Sequence, residues 1–240
     1  MAGTNLFTPK VKRRLILVLA AALLALLVPA VQVGCVGFVN PPTTSPMVLR
    51  WLGGKVFRKE QPPNRYEWIA LKGVPDSFLT SVWVSEDNRF FRHWGFDWQQ
   101  INAAWAEARA TGKPSRGAST ITQQCARALF LWQRRSWLRK GLEAYYTVWM
   151  ELFLSKQRIL ELYVNVIEMG DGVYGIEAGA QHHYGVHASE LTPEQAAMLV
   201  AILPNPREWD PNHPSDRVLR KQAIIAQRAA RAHLPLERDQ

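Results

Sequence analysis

One apolar stretch constrains the chain first. From Leu15 to Phe38 no side chain is charged, and Gln32 is the one strongly polar residue. As a helix rising ~1.5 Å per residue the stretch reaches about 36 Å, enough to cross a ~30 Å hydrocarbon core with some tilt. Pro29 and Gly34 are tolerable interruptions of such a helix. Lys10, Lys12, Arg13 and Arg14 stand immediately before it, with no acidic residue upstream. Positive flanks mark the cytoplasmic side. Residues 1–14 therefore read as a cytoplasmic basic tail, 15–38 as a retained transmembrane helix, and all that follows as extracytoplasmic. A cleaved signal peptide would carry a shorter apolar core of ~7–15 residues.

That topology filters what the charge can mean. The formal net charge is +9, which suits an anionic partner. Outside the cytoplasm nucleic acid is a poor partner, whereas lipid-linked phosphate lies at the membrane surface. The two cysteines, Cys35 and Cys125, are too few and too far apart for a disulfide framework or a zinc knot.

The rest of the chain reads as mainly α. Residues 39–46, containing NPPTTSP, form an extended linker, and 47–240 a single domain large enough for its own core. Residues 47–75 are a mixed stretch. Helices are expected over Ser77–Ser85, Asp97–Ala110, ITQQCARALFLW after Thr120, WLRKGLEAYYTVWMELFL after Ser136, and KQRILELYVNVIEM after Ser155. A short helical piece GIEAGAQHHYG follows, then a helix opened by Thr192-Pro193-Glu194-Gln195 and a basic amphipathic one from Asp216 to His233. Ser, Thr and Pro stand where helix starts favour them. Thr111–Gly117 (TGKPSRG) is a polar loop with the composition of a mobile lid. No alternating strand, glycine-rich phosphate loop or repeat is visible.

The chemistry concentrates in two places. The first is EDNRFFRHWG, Glu86 to Gly95, where adjacent carboxylates lie among cations and aromatics. Aromatic burial favours a neutral carboxyl and nearby cations favour the charged form, and a Glu between those influences suits proton acceptance. The second is a pair of helices. Gln123, Gln124 and Arg127 share a face of one, and Arg139 and Lys140 lie within a turn of Glu143 on the next, with Arg135 just upstream. Helix spacing brings such residues together. Two carboxylates suit sugar transfer. The surplus of cations points to a pyrophosphate leaving group, whose developing charge needs Arg, Lys or a metal.

The motifs EDNRFFRHWG, RGASTITQQ, RKGLE and KQRILELYVN, in this order, and then GDGVYGIEAGAQHHYG and LTPEQAAMLVAILPNP, resemble those of the bacterial peptidoglycan glycosyltransferases, glycosyltransferase family 51. The likeness covers about residues 45–215. The single anchor and the lack of a penicillin-binding domain look like the family's monofunctional biosynthetic members. The resemblance implies a mainly α, lysozyme-like domain with a smaller membrane-proximal jaw lobe, placed on the periplasmic face of the bacterial inner membrane. It implies polymerisation of lipid II into β-1,4-linked glycan strands by inverting transfer from a lipid pyrophosphate. Glu86 matches the family's catalytic base, and Glu143 the second glutamate. Asp87, Arg89, Phe90 and His93 match the shaping residues of the first motif. Ser119, Thr120, Gln123 and Gln124 match residues lining the cleft. Arg127, Arg135, Arg139 and Lys140 match those that hold the pyrophosphate. Arg158, Glu161 and Asn165 fall in a mostly structural motif. No cofactor is required by the sequence; a divalent cation, Mg or Mn, at the pyrophosphate is compatible with it. The expected partners are lipid II, the growing strand, the membrane and other cell-wall synthesis or division proteins. Ala128, where the family has Asn, and Cys125 depart from its pattern beside the donor site.

Two other readings remain at this point. A lysozyme-like hydrolase or lytic transglycosylase would share the fold and the catalytic Glu but leave the cations unexplained. A catalytically silent anchored scaffold would make Glu86 dispensable. The topology itself is testable: a reporter fused after Gln240 is expected to be active only outside the cytoplasm, and cytoplasmic activity would remove the lipid-linked substrate from consideration.

Overall fold

The computed structural model describes residues 9–57, 61–112 and 117–236. A 30-residue helix, α1 (Pro9–Phe38), begins within the basic tail and contains Pro29. Its first two-thirds are exposed, whereas Pro29, Val33 and Val36 bury one face against the body of the protein. Those three positions follow helical spacing, the mark of a helix packed on one side. The partner is α6 (Trp137–Phe153). Tyr146 of α6 hydrogen-bonds the Gln32 side chain, and the Tyr145 hydroxyl reaches the Leu26 carbonyl. A second strap comes from α7 (Lys156–Val166), where Arg158 donates to the Val36 carbonyl at 3.0 and 2.8 Å and to that of Val39 at 3.2 Å.

The centre of the domain is α3 (Asp76–Glu86), whose Phe78, Leu79, Thr80, Ser81 and Val82 are all buried. A helix enclosed on every side needs neighbours all round. They include α9 (Pro193–Ile202), buried from Ala196 to Ile202, and α10 (Asp216–Arg231), which buries Val218 and Ile225. Beside this group α5 (Ile121–Phe130) packs between α6 and α7. The remaining helices are α2 (Ser45–Val56), α4 (Trp98–Thr111) and α8 (Ile176–Tyr184).

Several boundaries differ from the sequence reading. A helix, α2, occupies part of the stretch read as mixed and shortens the linker; Gly53 and Gly54 weaken its propensity, but Pro46 starts it and Pro46 and Met47 are buried. A small sheet is present where no strand was expected. It consists of β1 (Arg65–Tyr66), β2 (Glu168–Gly170) and β3 (Val173–Tyr174) in the order β1-β3-β2, with β1 parallel and β2 antiparallel to β3. Strands of two or three residues are too short to show an alternating pattern. Because β2 takes Glu168 and Met169, α7 ends at Val166 rather than running through Met169. Likewise α5 stops at Phe130, two residues short of Trp132, and α10 at Arg231. The centre of the expected lid, residues 113–116, lies outside the described residues.

The end of the sheet depends on a glycine. Gly175 has φ +82°, and a Cβ there would overlap the Asn165 carbonyl oxygen. Asn165 cannot easily retreat, since its side chain is bonded to both the N–H and the C=O of Ile69 at 2.9 Å. Gly175→Ala is therefore expected to cost ~1–3 kcal/mol and to lower Tm by roughly 2–12 °C, measured by thermal unfolding of the detergent-solubilised chain. An unchanged Tm would contradict the close packing described here.

Candidate active site

Glu86 is the last residue of α3, and the chain leaves the helix at Asp87 (φ −163°, ψ 79°). The departure is held by the buried Asp87 carboxylate. It accepts 3.0 Å bonds from His93 Nε2 and, across the fold, from the backbone N–H of Ile121 at the start of α5. The two phenylalanines of the motif turn inward. Phe90 is fully buried, with Phe91 edge-on to it at 5.0 Å and the Lys156 ammonium 4.4 Å from its ring centre. Arg89 pairs with Asp97, whose other oxygen caps α4 through Gln99 and Gln100. Asp87, Arg89, Phe90 and His93 thus brace the motif, and Trp94, 74% exposed, points away from the core.

The second cluster is set by helix capping. Thr120 and Gln123 close a capping box at the start of α5, satisfying two backbone donors that a helix end leaves free. Thr120 also donates to the Gly95 carbonyl at 2.7 Å. Both side chains are buried and occupied by this task. Gln124, one residue on, faces the opening. Its amide donates to Glu86 Oε2 at 3.1 Å and to the Ser119 carbonyl at 3.4 Å. The other Glu86 oxygen accepts from Ser85 Oγ at 3.2 Å. The hydrogen-bond partners of the half-buried carboxylate are therefore polar, in place of the aromatic shell that the sequence suggested.

Glu143, on α6, is fully buried. It receives Arg139 at 2.7 Å and Lys140 in close contact, with Arg127 at 4.0 Å. Lys140 also reaches Ser119 Oγ at 3.1 Å, joining this cluster to the segment that leads into α5. Glu143 consequently acts on the cations around it and does not face the opening. A cavity of about 220 Å³ opens beside it, lined by Gln124, Arg127, Arg135, Arg139, Tyr163 and Glu168 among others. Arg139 Nε, though buried, has no hydrogen-bond partner among the described residues, which leaves a donor for an anion. A second cavity, of about 440 Å³, lies on the other side of Glu86 and is lined by Ser85, Glu86, Ser119, Thr120, Asp97 and Arg228. Glu86 borders the second cavity directly and reaches the first through Gln124.

A resident metal ion does not fit these groups. Asp87, His93 and Asp97 bring ligand atoms within 4.8 Å of one another. Their oxygens, however, are already bonded by His93, the Ile121, Gln99 and Gln100 amides, and Arg89. In the cationic cavity Glu168 is paired to Arg207 at 2.8 Å, and Glu143 to its own cations.

Sequence reading missed Tyr163, Glu168, Arg207 and Arg228. Tyr163 sits in an apolar helix pattern and looks like core; Glu168 and Arg228 reach the cavities only through tertiary packing, and Arg207 enters by pairing with Glu168.

The Transglycosylase family model matches residues 53–230, which include every site residue above. The chain belongs to the transglycosylase family. It is 46% identical over 220 residues to the biosynthetic peptidoglycan transglycosylase of Xanthomonas campestris pv. campestris (strain B100), covering 92% of this chain and 89% of that protein. The protein of the same name from Ectopseudomonas mendocina (strain ymp) is 44% identical over 212 residues, 88% of this chain and 83% of its own. That from Xanthomonas oryzae pv. oryzae (strain KACC10331 / KXO85) is 45% identical over 236 residues, 95% and 94%. As a transglycosylase the chain keeps the carboxylate of its first motif accessible and the second enclosed.

The enclosed one gives a stability test. Removing one partner of a buried ion pair costs ~3–5 kcal/mol, so Glu143→Gln is expected to lower the denaturant midpoint clearly. Adding Arg139→Met should restore part of the loss, because residues of one network are not additive. A Glu143→Gln protein as stable as the original would show that the cations do not depend on it.

Proposed function

We propose that this chain is a peptidoglycan glycosyltransferase that polymerises lipid II at the outer face of the cytoplasmic membrane. The observation that carries this reading is the position of Glu86: a half-buried carboxylate, held by Gln124, beside a cavity walled by Arg127, Arg135 and Arg139. In this mechanism Glu86 accepts the proton of the acceptor sugar's 4-hydroxyl as that oxygen attacks C1 of the donor. The C1–O bond to the lipid pyrophosphate breaks, and the anomeric centre inverts. Pyrophosphate leaves without protonation, and its developing charge is met by the guanidinium groups, donors already fixed before reaction. Glu143 holds Arg139 and Lys140 in place for this task. The names of the relatives accord with strand synthesis, and a strand-cleaving reading does not account for the cationic wall.

The anchor supports a substrate taken from the bilayer. The helix is uncharged from Leu15 to Val28 and its large apolar side chains there are exposed, about 21 Å at ~1.5 Å per residue, short of a ~30 Å hydrocarbon core. The docked turns from Pro29 onward must then also lie in the membrane, together with the part of α6 packed on them. Trp149, Phe153 and the exposed Trp137 and Leu138 of α6 are the residue types that suit such depth.

Polymer formation from purified lipid II is the direct test. Glu86→Gln keeps size and hydrogen bonding but removes proton acceptance, so the initial rate should fall ~10²–10⁴-fold while lipid II still binds. Arg127→Ala should depress turnover more than lipid binding. Arg127→Lys should recover only part of it, since a point charge replaces a two-pronged donor. A Glu86→Gln protein polymerising within a few-fold of the original would end this mechanism.

A further inference from the structure

On the core face of α7, Ile159, Leu160, Leu162 and Val166 are buried and apolar. Tyr163 stands among them with 1% of its surface exposed. A buried hydroxyl destabilises unless it is hydrogen-bonded, so its placement depends on where that bond goes. It goes to Gln124: Tyr163 OH donates to Gln124 Oε1 at 3.3 Å. Burial pushes the Tyr163 phenol well above its ordinary pKa and the charge of Glu86 adds to this, against a lowering by Arg127. The phenol therefore remains a protonated donor.

The consequence concerns the glutamine. An amide can turn over, exchanging its oxygen and nitrogen. Turned over, Gln124 would present oxygen to the Glu86 carboxylate, and the carbonyl of Ser119 would lose its donor. It would also leave the Tyr163 O–H without its acceptor, so Tyr163 supports the orientation in which Nε2 faces Glu86 Oε2. With Ser85 on the other oxygen, the carboxylate is then held from both sides. We infer that Tyr163 is a positioning residue for the transfer reaction, orienting Glu86 through Gln124. No proton moves along this path; Glu86 releases the proton it accepts to solvent before the next transfer, and Tyr163 and Gln124 fix where it is accepted.

The inference rests on the proposed role of Glu86, so two measurements are needed. In lipid II polymerisation by the full-length chain, Tyr163→Phe should reduce kcat about 2–10-fold, the worth of one hydrogen bond, with KM for lipid II within about twofold. In a Gln124→Ala background the same substitution should have no further effect, because its route to Glu86 is gone. An unchanged kcat in Tyr163→Phe, or an effect that multiplies fully with Gln124→Ala, would overturn the inference. The second measurement needs no activity. In chain labelled with ¹⁵N-glutamine, the Gln124 side-chain amide signal, assigned by its loss in Gln124→Ala, should move in Tyr163→Phe and in Glu86→Gln. A signal that stays put in Tyr163→Phe would refute the relay even where turnover falls. Should the unaltered chain form no polymer, the proposed function fails, and the amide signal still decides whether Tyr163 orients Gln124.

Discussion

The fold of this chain converges on the carboxylate of Asp87. One oxygen is bonded only by a histidine from its own motif, while the other also takes the first amide of α5. A buried carboxylate satisfied by such donors holds its place firmly, since losing either would leave a charge unpaired in the interior. Through it the end of α3 is fastened to the start of α5. That single junction sets the neighbouring Glu86 against Gln124, four residues along α5 from Thr120. The accessible carboxylate is thus positioned by its own sequence neighbour, which is one reason two acidic residues stand side by side here.

Charge is handled in opposite ways at the two glutamates. Glu86 has only neutral hydrogen-bond donors and is left partly open. Glu143 is closed off and carries Arg139, Lys140 and, more distantly, Arg127. Three cations about one carboxylate leave a surplus of positive charge, and that surplus faces a cavity. An anion entering there meets donors whose orientation has already been fixed, so little reorganisation is left for the moment of reaction. A neutral sugar hydroxyl needs no such field, and it fits the mixed lining of Ser85, Ser119 and Thr120 on the far side of Glu86.

Much of this was legible in the sequence because the signals were local. Thr120, Ser136, Ser155 and Thr192 mark helix starts, and each caps its helix. Glu143 could be grouped with Arg139 and Lys140 by helical spacing alone. Local reasoning stopped where a residue's partner lay far along the chain. Gln123 looked like a cleft residue, yet its side chain is taken up by the Thr120 cap. His93 could be placed with the shaping residues of its motif, but its partner Asp87 could not be read from spacing. Tyr163 read as core because its one polar partner lies 39 positions away. The small sheet was missed for the same reason: β1 and β3 are more than a hundred residues apart and too short to announce themselves.

The anchor and the cationic cluster meet on one element. Along α6, Arg139 and Glu143 occupy the first half, and Tyr146, bonded to Gln32 of α1, follows three residues after Glu143. The hydrogen bond between Tyr146 and Gln32 registers α6 against α1. The cations about two turns earlier on α6 inherit that register. Arg158 adds a second point of attachment at the C-terminal end of α1, through the Val36 and Val39 carbonyls. Two attachments separated along α1 resist rocking of the domain about the helix. The distance from α1 to Arg139 is then set by the protein itself.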